Sequence, residues 1–175
     1  MIENLKTERF LLRRFKNDDL EKVFQGLSNP EVIRYYGVSF SSLEATREQM
    51  AWFEELEQKE TGAWWAICSL EDQSFTGAAG FNNVSKEHRK AELGFWLLPE
   101  FWGRGIIQEV LPVICEFAYT KLNLHRIEAF VETENTASAK ALKNQGFRHE
   151  GTMVDSEVKN GRFISVDLFA RLENE

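Results

Sequence analysis

Between Phe101 and Ile107 the chain reads Phe-Trp-Gly-Arg-Gly-Ile-Ile, at a predicted passage from strand to helix. Two glycines one residue apart let the backbone approach a ligand closely. The first turn of a helix leaves N–H groups unpaired at the positive end of its dipole, which suits an anion, most often a phosphate. A plain tight turn uses the same residues, so both readings stand at this level. The segment is not a dinucleotide-binding fingerprint, because Gln108 stands where the third glycine belongs, and it lacks the Gly-Lys-Ser/Thr of a P-loop. Glu92 lies on a predicted central strand, where a carboxylate is unusual. It fits either an ion pair with Arg89 or Arg126, or a proton acceptor. Asn135 can cap a helix beginning at Thr136, and Ser138 on that helix is a packing residue or a reactive hydroxyl. Cys68 and Cys115 are too few for a thiolate cage, and His88, His125 and His149 lack ligand spacing, so no metal is expected.

The elements around these residues follow from periodicity and punctuation. Arg9–Phe15 reads as a strand, followed by a helix capped near Asn17-Asp18-Asp19 with Leu20, Val23, Phe24 and Leu27 at helical spacing. Ser28-Asn29-Pro30 ends it. A second helix runs from a Ser41-Ser42 cap to about Lys59. Strands are predicted at Ala63–Leu70, Phe75–Val84 and Lys90–Leu98, a helix at Arg104–Leu122, a strand at His125–Glu132, and a helix at Thr136–Asn144. Two final strands, Arg148–Val158 and Phe163–Arg171, are joined by Asn160-Gly161, a type I′ hairpin signal. Pro112 falls inside a predicted helix, where it removes one hydrogen bond. The pattern is α/β (α+β), with about seven strands and about four helices.

Composition narrows the function. The 175 residues amount to one domain, 1–175, and the net charge of −7 speaks against a nucleic-acid binder. Apolar runs such as Ala63–Cys68 fall far short of the ~20 residues of a membrane helix. The N-terminus shows no secretory pattern, so a cytoplasmic, metal-free protein is expected. Fourteen Phe, five Trp and three Tyr suggest a thick core or an aromatic-lined cleft.

The wider context is Ala91-Glu92-Leu93-Gly94-Phe95-Trp96-Leu97-Leu98-Pro99-Glu100-Phe101-Trp102-Gly103-Arg104-Gly105, followed by Glu109. It resembles the central motif of GNAT-superfamily N-acetyltransferases, and is most similar to the RimJ/RimL branch that acetylates ribosomal proteins. A second block agrees: His125-Arg126-Ile127-Glu128-Ala129, then Asn135, Ser138, Gly146-Phe147 and Glu150-Gly151. Glu8–Arg13 and Asn29-Pro30-Glu31-Val32 match as well, so the resemblance spans nearly the whole chain.

The resemblance implies a mixed, mostly antiparallel sheet splayed between its fourth and fifth strands, Lys90–Leu98 and His125–Glu132. Acetyl-CoA is the implied co-substrate. Its pantetheine would pair with the backbone of Phe95, Trp96 and Leu97 and meet Asn135 and Ser138 opposite. Its pyrophosphate would rest on the segment from Trp102 through Gly103, Arg104, Gly105, Ile106 and Ile107 to Gln108. Two positions depart from the family. Ile107 stands where Gly or Ala is usual, and Leu142 stands where many members carry a Tyr that protonates the departing thiolate. Glu92 becomes the candidate general base, and Ser138 the nearest hydroxyl for the thiolate.

The implied reaction is direct acetyl transfer to a primary amine in a ternary complex. An α-amine has a pKa near 8 against about 10.4 for Lys, so making it neutral is easier by roughly 3.5 kcal/mol. A site with one candidate carboxylate and no family Tyr suits that easier proton, favouring a protein N-terminus. Tyr35, Tyr36 and Phe40 are candidates for the acceptor cleft. The alternatives are a small-molecule amine acetyltransferase for a polyamine, amino acid or antibiotic, and a non-catalytic acyl-CoA-binding module. The expected partners are acetyl-CoA and the amine, without nucleic acid or membrane, in a monomer or homodimer.

Overall fold

A computed structural model describes residues 2–174. Its elements are β1 (Leu5–Lys6), β2 (Phe10–Arg13), α1 (Leu20–Leu27), α2 (Pro30–Ile33), α3 (Leu43–Gln58), β3 (Ala63–Ser69), β4 (Phe75–Ser85), β5 (Lys90–Leu97), α4 (Ile106–Thr120), β6 (Arg126–Glu132), α5 (Thr136–Asn144), β7 (Arg148–Lys159) and β8 (Arg162–Leu172). The strands form one sheet in the order β1-β2-β3-β4-β5-β6-β8-β7. Every pairing is antiparallel except that of β5 with β6.

Helices cover both faces of the sheet, which explains why Ala63–Cys68 is apolar without alternation. On one face Trp65, Ile67, Phe81, Leu93 and Ile127 pack beneath Val110, Leu111, Ile114 and Phe117 of α4. On the other, Trp64, Ala66, Phe75, Ala78 and Trp96 pack against Val23 and Leu27 of α1 and Phe53 and Leu56 of α3. The aromatic surplus is concentrated here: Trp64, Phe53 and Trp52 form a tilted cluster, and Phe75 lies 5.9 Å from Trp96.

The predicted order holds, with eight strands rather than about seven and five helices rather than about four among the described residues. The extra strand, Leu5–Lys6, is too short to show a period and forms only because β2 offers it an edge. The extra helix is α2. Ser28 does end α1, but Asn29 then accepts Glu31 N–H at 2.9 Å and Pro30 supplies the first helical residue, so the stop is also a start. Asp19 stands at the N-cap of α1, as predicted near there, but its side chain makes no capping bond to the helix; it accepts Lys16 N–H at 2.7 Å and both guanidinium nitrogens of Arg13 at 2.8 and 2.9 Å. Ser42 caps α3, and Asn160-Gly161 closes the β7–β8 hairpin with positive φ at both residues, as predicted.

Pro112 acquires a role from its surroundings. Lacking an N–H, it cannot bond the carbonyl four residues back, that of Gln108. Gln145, at the end of α5, donates from Nε2 to that carbonyl at 3.3 Å and to Gln108 Oε1 at 2.7 Å, while Gln108 Nε2 donates to Ala141 O at 3.3 Å. The missing helical bond thus becomes a link that seats α5 on α4. We expect Gln145→Ala to cost about 1–2 kcal/mol, and clearly less in a Pro112→Ala background, where the helix can satisfy Gln108 itself. Urea denaturation of the four proteins of that cycle measures the coupling.

Candidate active site

The parallel pairing of β5 with β6 covers only Lys90↔Arg126, Ala91↔Ile127 and Glu92↔Glu128. Beyond Glu92 the strands part: β5 stays with β4 as far as Leu97, and β6 stays with β8 as far as Glu132. Leu98 N–H donates to Thr76 O at 2.9 Å. Because bonding alternates along an antiparallel ladder, Trp96 and Gly94 also face β4, whereas Phe95 and Leu97 face the open side. The opening is therefore edged by backbone groups without a strand partner. Leu97 O is taken by the indole N–H of Trp102 at 3.0 Å, which pins that ring beside the opening.

At the wide end, Gly103 and Gly105 adopt φ of 71° and 73°, a region that only glycine enters freely. These turns aim consecutive N–H groups outward. Among the described residues, the backbone N–H groups of Gly103 through Gln108 donate to no protein acceptor; the first bond of α4 is Glu109 N–H to Gly105 O. Such a nest at the positive end of a 15-residue helix can hold a phosphate-type anion. The loop is braced from the turn between β1 and β2. Arg9 donates from Nη2 to Arg104 O at 3.1 Å and from Nε to Glu109 at 2.6 Å, and Glu109 also receives Thr7 Oγ1 and Arg9 N–H.

Across the opening stands the N-terminus of α5. Asn135 Oδ1 accepts Ser138 N–H at 3.2 Å, and Asn135 Nδ2 donates to Ser138 Oγ at 3.0 Å. That hydroxyl, already accepting one bond, keeps its own proton to donate outward. Leu142 is fully buried in the core under α4, so its position does not reach the opening.

A cleft of about 480 Å³ joins these parts. Phe95, Trp96, Leu97, Trp102, Gly103, Ile107, Asn135 and Ser138 line one side, and Glu31, Val32, Arg34, Tyr35 and Tyr36 close the other. Glu92 lies at the apex of the opening, on the sheet face it shares with Trp96. It has no ion pair with Arg89 or Arg126: Arg89 binds Asn123 and Glu173, and Arg126 binds Glu128 and Glu150. Its Oε2 accepts from Asn83 Nδ2 at 2.9 Å, which orients the carboxylate. Burial, followed by the charge of Glu92, pushes the Tyr36 phenol far above its ordinary value and keeps it neutral.

Residues 9–148 match the family model for the acetyltransferase (GNAT) domain. The chain belongs to the GNAT acetyltransferase family. It is 35% identical to the N-acetyltransferase YoaA of Bacillus subtilis over 97% of both chains. Its fold matches that of RimL, a ribosomal-protein α-N-acetyltransferase solved with coenzyme A, at a TM-score of 0.88 and 22% identity, covering 97% of this chain and 98% of that one. It also matches a spermidine N-acetyltransferase from Vibrio cholerae solved with CoA and spermine, at 0.84 and 22%, covering 94% and 96%. The chain is accordingly a GNAT acyltransferase with the mixed, splayed sheet of that fold.

Within this GNAT site the predicted residues divide. Those lining the cleft are Phe95, Trp96, Leu97, Trp102, Gly103, Ile107, Asn135 and Ser138. Trp96 lines it, although its backbone faces β4. Ile107 carries its side chain there, beside helix N–H groups that remain free. Arg104 stacks over Phe101, 5.4 Å from the ring centre, and with Ile106 it borders a separate cleft of about 360 Å³. The side chain of Gln108 works in the helix–helix link, while its N–H belongs to the nest. Sequence reasoning did not single out Glu31, Val32, Arg34, Ala137 and Ala141 for the cleft; the Asn29-Pro30 start signal was the clue to the first three. Cys68 and Cys115 are buried free thiols, and burial pushes Cys115 up to about 11.

Glu109 ties loop geometry to pH. Burial opposes its charge, but bonds from Thr7, the Arg9 N–H and the Arg9 guanidinium outweigh this and hold its carboxyl below the ordinary 4.5. A carboxylate depressed on folding stabilises above its unfolded value, and loses that contribution as pH falls through the folded value. Glu109→Gln should therefore be less stable than the parent at pH 7, with the gap narrowing as pH falls below the ordinary 4.5. Urea midpoints across that pH range test this.

Proposed function

We propose that the chain, as one domain over residues 1–175, is a cytoplasmic N-acetyltransferase that moves an acetyl group from acetyl-CoA to the α-amine of a protein or peptide N-terminus. The observation carrying this reading is the continuous path from the N–H nest at Gly103–Gln108, along the open edges of Phe95 and Leu97, to a cleft holding Ser138 and Tyr36. Acetyl-CoA has matching chemistry: a pyrophosphate for the nest, two amides in the pantetheine for the strand edge, and a thioester at the end. The solved relatives named for coenzyme A share this fold.

The acceptor assignment rests on charge. The cleft lining contributes one carboxylate, Glu31, and one cation, Arg34. A polyamine carries several cations and calls for several carboxylates, whereas a peptide N-terminus presents one amine on an otherwise amide chain. With a pKa near 8, that amine is neutral in a substantial fraction at physiological pH.

In the proposed reaction the neutral amine attacks the thioester carbon. The new N–C bond forms as the C–S bond breaks. The amine then sheds its proton to the Glu92 carboxylate, either across the neutral Tyr36 hydroxyl or through water. The Ser138 hydroxyl, polarised by Asn135, donates to the departing thiolate. A backbone N–H on the open edge of β5 stabilises the carbonyl oxygen as charge develops. Holding both substrates in one cleft supplies much of the remaining acceleration.

Thiol release from acetyl-CoA is the assay, run with peptides of varied N-terminal residue and with free amines including spermidine. Peptide turnover is expected, with kcat/KM rising through about pH 8 as the acceptor loses its proton. Glu92→Gln should lower kcat by about 100-fold or more, and Ser138→Ala by about tenfold. Turnover of spermidine alone would reassign the acceptor. Tight CoA binding without turnover of any amine would make the chain a binding module.

A further inference from the structure

β7 is exposed along nearly its whole length, with Val154 and Val158 at 75% and 65%. Its last residue, Lys159, instead turns inward, its side chain only 24% exposed. Hydrophobicity alone would choose the opposite arrangement, so specific bonds must hold the ammonium there. Lys159 Nζ donates to Arg34 O at 2.6 Å and to Glu132 Oε2 at 2.7 Å. One side chain thus ties three elements distant in sequence: the C-terminal hairpin, the residue that ends α2, and the last residue of β6.

Both tied points lead directly into the cleft. Arg34 is followed at once by Tyr35 and Tyr36, which form the acceptor-side wall. Glu132 accepts Asn135 N–H on its backbone carbonyl at 2.8 Å, and Asn135 holds Ser138. The hairpin reaches this place through an irregularity between Met153 and Glu157, where Asp155 takes a positive φ of 50° and donates its N–H to Ser165 Oγ. Bulges of this type bend a strand and increase its twist, here just before the segment that meets α2. A lysine tied to a carbonyl and a carboxylate gives up much rotamer freedom, so the tie stands against a real entropic cost.

We propose that Lys159 is a positioning residue for the acceptor amine, clasping the Tyr35–Tyr36 wall to the Asn135–Ser138 side of the cleft. The proposal rests on the acetyl-transfer reading above. Lys159 touches no reacting atom in it. Without the clasp, the wall stays attached through Val32 and the α1 packing but is free to swing at Arg34, and the amine is held less well. The pyrophosphate end of acetyl-CoA is fastened independently, by the nest and by Arg9–Glu109.

Lys159→Met and Lys159→Arg test this with two readouts. Hydrogen exchange of the intact chain needs no acceptor: in Lys159→Met the amides of residues 34–37 should exchange about tenfold faster while those of α4 are unchanged, and Lys159→Arg should restore slow exchange. In steady state with a serine-initiated peptide, Lys159→Met should raise the peptide KM about five- to twentyfold and leave the acetyl-CoA KM within about twofold. Arg should bring the peptide KM back to within about threefold. Unchanged exchange at 34–37, or parallel shifts of both KM values, overturns the clasp. If the parent chain turns over no amine, the acetyl-transfer reading fails instead, and the exchange result still decides whether Lys159 fastens the wall.

Discussion

The site depends on where β5 stops pairing with β6. The two strands share three rungs, ending at Glu92↔Glu128, and each then follows its other neighbour. β4 holds one through Leu97 and β8 holds the other through Glu132, so neither strand can close the gap without giving up an antiparallel partner. A buried N–H or C=O left without a partner costs about 1–3 kcal/mol, so this edge suits a ligand that brings amides of its own when it displaces water there. One internal group, the Trp102 indole, already satisfies Leu97 O.

The rest of the fold aligns the two sides of this opening. Two left-handed glycines aim the N–H groups before α4, and the Arg9–Glu109 pair holds that loop to the β1–β2 turn. On the far side, α5 must sit against α4 at a fixed height for Asn135 and Ser138 to face β5. The carbonyl freed by Pro112 and taken by Gln145 does this with polar bonds, which are more directional than apolar packing. A proline that looks like a defect in the helix pattern therefore serves as a docking feature.

Electrostatics then separates roles among groups that sequence leaves equivalent. Glu128 and Glu150 are consumed by Arg126, joined at Glu128 by Lys90, and this pairing holds both carboxyls below their ordinary range. For Glu128 this happens despite burial. Glu92, on the last rung of the same parallel ladder, is oriented by the Asn83 amide. Burial, followed by the charge of Glu92, keeps Tyr36 a neutral phenol.

Local chemistry alone determined much of this protein. Element order, the Asn160-Gly161 turn, the Asn135 cap and the glycine pair before α4 were legible because each depends on neighbours within about four residues, where backbone sterics and capping act. The same local chemistry marked the Gly103 loop, whereas it was the family resemblance that set Asn135 and Ser138 on the opposite side of the cleft. Only the tertiary structure decided what spans the chain. β1 exists because β2 offers it an edge. Pro112 matters because Gln145 arrives from another helix, and Glu92 is unpaired because Arg89 and Arg126 find other partners. Lys159 reaches Arg34 across 125 positions. Contacts of that kind are set by how the sheet twists and which edges it leaves open, and no window along the sequence contains both partners.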